Sequence, residues 1–213
     1  MTLFLAITAV ILGFVLALVL GMVYQSRYKP VRLLAHGYVQ FFRGIPLILL
    51  LLLVHQVLGS GRQFGLNRTV LTSALVALTL YSSAYQAEIV RAGLQATPPN
   101  MIESARLLGS SKRQAYWLIQ IRYSWHIMLP AFTGQAISLF KDTSVVLILG
   151  VAELMTVARI ALGSDLSNAP YWLPLSFVVG FLYFIVAFTL SRVAQRWEKA
   201  HHTGDLVHSL ANY

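Results

Sequence analysis

Five stretches of this chain contain no Asp, Glu, Lys or Arg: the run before Arg27 and the intervals Arg43 to Arg62, Arg68 to Glu88, Arg122 to Lys141 and Asp165 to Arg192. Each is about 18 residues or longer, and a helix of that length matches a hydrocarbon core of about 30 Å. In hydrocarbon every backbone N–H and C=O must be paired within the structure, which leaves helices as the form for apolar runs of this length. The pattern therefore predicts an all-α integral membrane protein with five transmembrane helices. They are expected near Leu3–Val23, Tyr38–Leu58, Thr69–Arg91, Trp125–Ile160 (interrupted) and Trp172–Arg196.

Composition supports the membrane and removes the main competitor. Only 11% of residues are charged against 57% hydrophobic, whereas soluble domains carry about 25% charged residues. The net charge of +9 does not mark a nucleic-acid binder, because such proteins gather Lys and Arg on a solvated face. Here the basic residues cluster after alternate spans: Arg27, Lys29 and Arg32 after the first, Arg91, Arg106, Lys112, Arg113 and Arg122 after the third, Arg192, Arg196 and Lys199 after the fifth. By the positive-inside rule these segments are cytoplasmic, which puts the N-terminus outside and the C-terminus inside. The opposite loops hold only Arg62 and Arg68, and the acidic Asp165. Met1–Thr8 has no positive charge in its sequence, so the first span is expected to be a retained helix rather than a signal peptide. Residues 1–200 are expected to form a single transmembrane domain and residues 201–213 a polar cytoplasmic tail. The chain has no Cys, which excludes disulfides and thiolate sites.

The connection from the third span to the fourth, residues 92–122, is longer than a turn, and long ordered loops are usually functional. Pro98-Pro99 stops the preceding helix. Asn100 is expected to N-cap a short helix, with Glu103 reaching back as in a capping box, and Gly109 to supply the left-handed residue that ends it at Leu108. Ser111 with Gln114 repeats the cap signal.

On this loop a family resemblance becomes visible. Glu103-Ser104-Ala105, followed after three residues by Gly109, resembles the Glu-Ala-Ala loop of ATP-binding-cassette importer permeases, with Ser104 in place of the usual Ala. The segments Tyr38-Val39-Gln40-Phe41-Phe42-Arg43-Gly44-Ile45-Pro46-Leu47, Ala84 to Gly93, Lys141-Asp142-Thr143-Ser144 and Gly150-Val151-Ala152-Glu153-Leu154 resemble the polar amino-acid subfamily in the same order. The resemblance implies a type I ABC importer permease fold in the bacterial cytoplasmic (inner) membrane. It also implies two ATP-binding subunits, a second permease, identical or homologous, and an external solute-binding protein. ATP would be bound by the partners, with no cofactor here. Asn100, Glu103, Ser104, Ala105, Leu108 and Gly109 would form the coupling element.

The chain lacks a Gly-x-x-x-x-Gly-Lys-Ser/Thr phosphate loop, so ATP hydrolysis has to reside elsewhere. It also lacks a His-Glu-x-x-His zinc pattern, and His201-His202 reads as solvated tail. Glycines 59, 61 and 65 form no dinucleotide fingerprint, and the Asn67-Arg68-Thr69 sequon lies tight against a span. Ionisable groups inside spans are functional candidates. Thr79, Ser82, Ser83 and Gln86 fall on one face of the third span, and Gln135, Ser138 and Asp142 on one face of the fourth. Small hydroxyl residues also serve helix packing, a reading at least as strong for Ser82 and Ser83. Glu88 and Arg91 read as an i,i+3 ion pair, and Arg43 as either a gate contact or an interfacial anchor at a kink. Gln86, Asp142, Thr143, Ser144 and Glu153 are the substrate-path candidates. Asp142 is read equally as a charge for a substrate amino group and as a tie between helices. An ion channel or a proton-coupled secondary carrier is the alternative function, since it too would use Asp142 and Glu88.

Overall fold

The structure, a computed structural model, describes residues 1–24, 26–60, 69–164 and 166–210. Arg62, Arg68, the Asn67 sequon, the glycines at 61 and 65, Asp165 and residues 211–213 lie outside the described residues. In chain order the helices are α1 (Thr2–Tyr24), α2 (Lys29–Gly44), α3 (Leu47–Ser60), α4 (Val70–Gln95), α5 (Pro99–Leu107), α6 (Lys112–Gln114), α7 (Ile121–Asp142), α8 (Leu154–Gly163) and α9 (Trp172–Leu210). A π-helical stretch, Ala115–Gln120, joins α6 to α7, and 3-10 turns follow α7 and precede α9. No strand occurs among the described residues.

The fold is organised around α4. Its N-terminus is capped by Thr69, whose side chain accepts from the Thr72 N–H, and α1, α2, α3 and α7 all pack on it. Helix α1 meets it through a ridge of small residues at every fourth position, Ala9, Gly13, Ala17 and Gly21, all buried. Small residues let backbones approach, and dispersion then holds the pair in the absence of a hydrophobic drive between lipid-bathed helices. A Cβ on Gly21 would lie 2.3 Å from Val90 Cγ1, and one on Gly13 would lie 3.0 Å from Ser82 Cβ.

Three segments are long and apolar enough to cross a membrane: Thr2–Tyr24, Lys112–Leu149 and Trp172–Arg196. Helices α2 and α3 qualify together, but they meet at a bend of 111°. The expected single second span, Tyr38–Leu58, is thus corrected to two helices with a sharp bend between them. Pro46 forces Ile45 into an extended conformation (φ −87°, ψ 134°), and the helix direction breaks there. Helix α4 is not among the apolar segments, although its 26 residues reach about 39 Å. Ser73, Thr79, Ser82, Ser83 and Gln86 lower its hydropathy, and all five are buried against neighbouring helices. A helix shielded from lipid by other helices need not be apolar all round.

The fourth expected span is interrupted: α7, which holds Pro130, passes into the 3-10 turn Thr143–Leu149, and the chain reverses at Gly150 (φ +74°) before α8. Helix α9 exposes Phe177, Phe181, Phe184 and Phe188, the surface expected of a helix facing acyl chains.

Candidate functional site

Gln86 is 2% exposed and faces α1: its Nε2 donates to Val10 O at 3.2 Å and to Ser82 Oγ at 2.7 Å. Tyr38 of α2 and Ser83 share a hydrogen bond of 2.7 Å. The Thr79–Gln86 face of α4 therefore sits in helix packing. Thr143 is wholly buried and donates to Phe140 O at 2.7 Å, while Ser144 beside it is half-buried. Glu153 is 1% exposed and caps α8, accepting from Met155 N, Thr156 N and Thr156 Oγ1 at 2.6–2.9 Å and from Tyr183 of α9 at 2.9 Å. Every bond a carboxylate needs is supplied there by the protein itself, and α8 is tied to α9 as a result. Of the five substrate-path candidates, Asp142 and Ser144 retain partial exposure, and Asp142 has no ion pair among the described residues.

The opposite face of α4 is the more open one. Tyr81, Tyr85 and Glu88 follow one another at i, i+4 and i+7, about half a turn from the Gln86 face. The Tyr81 and Tyr85 rings lie 4.8 Å apart. Arg43, carried to this face by the C-terminus of α2, stands 5.4 Å over the Tyr85 ring and 3.8 Å from Glu88 Oε2. Arg91 holds the same carboxylate in a bidentate pair, its Nε donating at 3.0 Å, and its Nη1 donates to Gln95 Oε1 at 2.6 Å. Arg43, Tyr85 and Glu88 open on a groove of about 480 Å³ between α4 and α7, lined also by Gly93, Met128 and Gln135. Asp142 lies two turns along α7 from Gln135, on the same face of that helix. Asp142, Tyr81, Tyr85, Arg43 and Glu88 thus form one polar stripe, half-exposed on a helical protein whose other outward faces are largely apolar. Sequence reasoning placed Gln135 and Asp142 on one face and paired Glu88 with Arg91, but it missed Tyr81 and Tyr85. Their i,i+4 spacing with Glu88 was the available signal.

The loop after α4 is built as a fixed bracket. Helix α5 starts at Pro99, one residue before the expected start. Asn100 is not its N-cap: Pro98 is held extended by Pro99, which fits the first helical position, and the Asn100 side chain bonds only to the Met101 N–H at 3.0 Å. At the other end Gly109 has φ +94°, with Ser110 N donating to Ala105 O at 3.0 Å and Gly109 N to Arg106 O at 3.1 Å, the two bonds of a Schellman motif. The expected cap at Ser111 is present with both reciprocal bonds, Gln114 N to Ser111 Oγ at 3.2 Å and Ser111 N to Gln114 Oε1 at 2.8 Å. Two further bonds fasten the bracket to the bundle: Gln120 Nε2 to Leu94 O at 3.0 Å, and Thr97 Oγ1 with Ser124 Oγ at 3.0 Å. Ala105 is buried on the inner side of α5, whereas Glu103 and Ser104 are exposed and Leu107 and Leu108 are 88% and 89% exposed.

Residues 9–199 match the family described as binding-protein-dependent transport system inner membrane component. The chain belongs to that family. Among curated relatives it is 30% identical to the "probable glutamine ABC transporter permease protein GlnP" of Bacillus subtilis, covering 92% of this chain and 88% of that protein. It is 32% identical to the "glutamate/aspartate import permease protein GltK" of Escherichia coli O157:H7, over 89% and 85%. It spans 50% of the length of the "inner membrane amino-acid ABC transporter permease protein YhdY" of Escherichia coli K12, at 33% identity over 86% of this chain. A solved "amino acid ABC transporter with histidines" superposes with a TM-score of 0.84 at 32% identity, covering 94% of this chain and 90% of that one. A methionine transporter, MetNI, shares the fold at a TM-score of 0.76 and 22% identity. Membership of this binding-protein-dependent family makes the chain a membrane permease subunit of an importer, and nothing in these relatives supports a channel or a proton-coupled carrier.

Proposed function

We propose that this permease carries polar amino acids or close analogues across the bacterial cytoplasmic membrane along the α4–α7 groove. The observation that carries the reading is the half-exposed stripe of Asp142, Tyr81, Tyr85, Arg43 and Glu88. Charged groups are costly against lipid and must meet water or another polypeptide. A second permease, identical or homologous, facing the groove would enclose the stripe as a path between subunits, and the relatives named for amino-acid transport support that substrate class. Asp142, the carboxylate of the stripe without an ion pair among the described residues, is assigned to the substrate amino group, with Ser144 beside it and Thr143 setting the turn. Gln86 and Glu153 are assigned supporting roles, as helix tie and helix cap.

Five crossings are proposed, α1, α3, α4, α7 with its extension, and α9, with the N-terminus outside and the C-terminus inside. Helix α5, presenting Glu103, Ser104, Leu107 and Leu108, would then dock on an ATP-binding subunit inside. A binding protein would deliver substrate from outside. Substrate would move by alternation between outward-open and inward-open arrangements, biased by ATP binding to the partner subunits. The test is uptake of labelled amino acids by the complex reconstituted with its ATP-binding and binding-protein subunits. Uptake is expected to require ATP, and Asp142→Asn is expected to reduce it at least ten-fold while assembly and ATP hydrolysis persist. Loss of assembly in Asp142→Asn, or unchanged uptake and substrate preference, would show that Asp142 is not in the path.

A further inference from the structure

Helix α2 has three distinct sides. Ala35 and Val39 are buried against the bundle, and at 100° per residue Leu34 and Phe41 stand on one flank of that seam, 75% and 59% exposed. Lys29, Arg32, His36, Gln40 and Arg43 occupy the other flank, with Leu33, 73% exposed, at its outer edge. His36 packs edge-to-face on Tyr24 at 4.4 Å, and Arg43 reaches Glu88. Helix α1 ends at Tyr24 and α2 begins at Lys29, and α2 ends at Gly44 with α3 beginning at Leu47, so with α1 and α3 as the proposed crossings both ends of α2 fall at one membrane face. With α1 and α3 crossing the bilayer and a bend of 111° between α2 and α3, α2 runs close to the membrane plane at headgroup depth.

The charge balance identifies what meets it. No acidic residue precedes Glu88 in the sequence, and Glu88 is engaged by Arg43 and Arg91. Arg27, Lys29 and Arg32, at the start of α2, have no ion pair among the described residues. Tyr28 between them is 76% exposed, as suits an aromatic ring at the interface. A helix with one apolar flank, one basic flank and an interfacial position has the physical form of a surface-bound amphipathic helix, whose binding adds buried apolar area to attraction for anionic lipid.

We propose that α2 is a lipid-binding helix, with Leu34 and Phe41 in the acyl layer and Arg27 and Lys29 on the headgroups of anionic phospholipid. Because the last turn of α2 carries Arg43, the lipid also sets how Arg43 meets Glu88 at the groove, and uptake becomes dependent on anionic lipid. The in-plane placement rests on the permease reading only through the crossing of α1 and α3, and it does not depend on which face is cytoplasmic.

The absence of Cys from the sequence allows single Cys residues to be spin-labelled at Leu34, Phe41, Lys29 and Gln40 in the full complex, reconstituted in phosphatidylcholine vesicles with and without phosphatidylglycerol. Labels at 34 and 41 are expected to be relaxed by oxygen over a water-soluble nickel chelate, and labels at 29 and 40 the reverse. Phosphatidylglycerol is expected to stimulate wild-type uptake. Arg27→Gln with Lys29→Gln is expected to raise the mole fraction needed for half-maximal stimulation several-fold, each basic residue near an anionic surface being worth roughly five-fold in partition. Nickel access at all four sites would leave α2 in water, and access at none would place a protein over it; either result overturns the proposal. So does equal phosphatidylglycerol dependence in wild type and variant. If the double variant transports in no lipid, the relaxation pattern decides. A complex that takes up no amino acid in any form refutes the permease reading, while the label pattern still tests α2.

Discussion

Glu88 gathers Arg43 from α2, Arg91 from its own helix and, through Arg43, the Tyr85 ring. The side chains are 26–35% exposed, so the pairs contribute little to stability, about 1 kcal/mol or less each. Their positions at the groove matter more. Glu88→Gln is therefore expected to leave the melting temperature in detergent nearly unchanged and to lower uptake several-fold, because Arg43 is no longer held over Tyr85. A large loss of stability with normal uptake would make the cluster a purely structural tie. At the α1–α4 seam the expectation is reversed. Gly21→Ala sets a Cβ 2.3 Å from Val90 Cγ1, and a β-branched side chain in a helix has one preferred rotamer and cannot swing aside. The cost should be about 1–3 kcal/mol, and Val90→Ala combined with Gly21→Ala should recover most of it, a coupling that a thermal-unfolding double-mutant cycle measures. Sequence could place polar residues on faces of α4 but not rank the faces. Thr79, Ser82, Ser83 and Gln86 form as clear a stripe as Tyr81, Tyr85 and Glu88, and only the Gly13 and Gly21 ridge of α1 decides which one is covered.

At the scale of elements, α5 is a short helix fixed at both ends. The Schellman motif at Gly109 runs straight into the capping box of Ser111, leaving Ser110 as the one residue between them, and the Gln120–Leu94 and Thr97–Ser124 bonds join this bracket to α4 and α7. In the proposed coupling role, a push on α5 would thereby reach both walls of the groove. Nothing lies within 4 Å of a Cβ built on Gly109, so Gly109→Val acts through the backbone alone: φ +94° is strained for a β-branched residue, by about 1–3 kcal/mol. The expected outcome is normal membrane insertion with uptake reduced ten-fold or more and ATP hydrolysis no longer stimulated by the binding protein. Wild-type uptake at equal expression would remove α5 from the coupling role. The end of this helix was legible because glycine and a Ser-x-x-Gln box are local signals. Its start was misplaced by one residue because Pro98-Pro99 supplies a helix start without any side-chain cap. The α2–α3 break was signalled by Gly44-Ile45-Pro46, yet counting charges alone merged two helices into one span.

For the whole molecule, the described helices include three segments apolar enough to cross alone and one bent pair, and α4 joins them only if burial replaces apolarity. This is the physical reason that composition finds the lipid-facing helices α1 and α9 easily and the central helix with difficulty. A five-crossing arrangement with α4 included makes a definite claim about sides. Eleven of the 16 basic residues fall just after α1 (Arg27, Lys29, Arg32), at the end of α4 and in the loop that follows it, and in the C-terminal part of α9, and the positive-inside rule turns that bias into an orientation. If α4 crosses, the end of α3 and α5 lie on opposite faces; if α4 is a buried helix that does not cross, they lie on the same face. Single Cys residues at Gly59, at the end of α3, and at Ser110, on a background without native Cys in this chain, separate the two cases. With a membrane-impermeant maleimide on intact cells, Gly59→Cys is expected to react and Ser110→Cys to react only after the cells are opened. Labelling of both from the same side would remove α4 from the set of crossings, and with it the path between α4 and α7. Reaction of Ser110→Cys alone on intact cells would keep the five crossings and invert the molecule, placing α5 where no ATP-binding subunit can reach it.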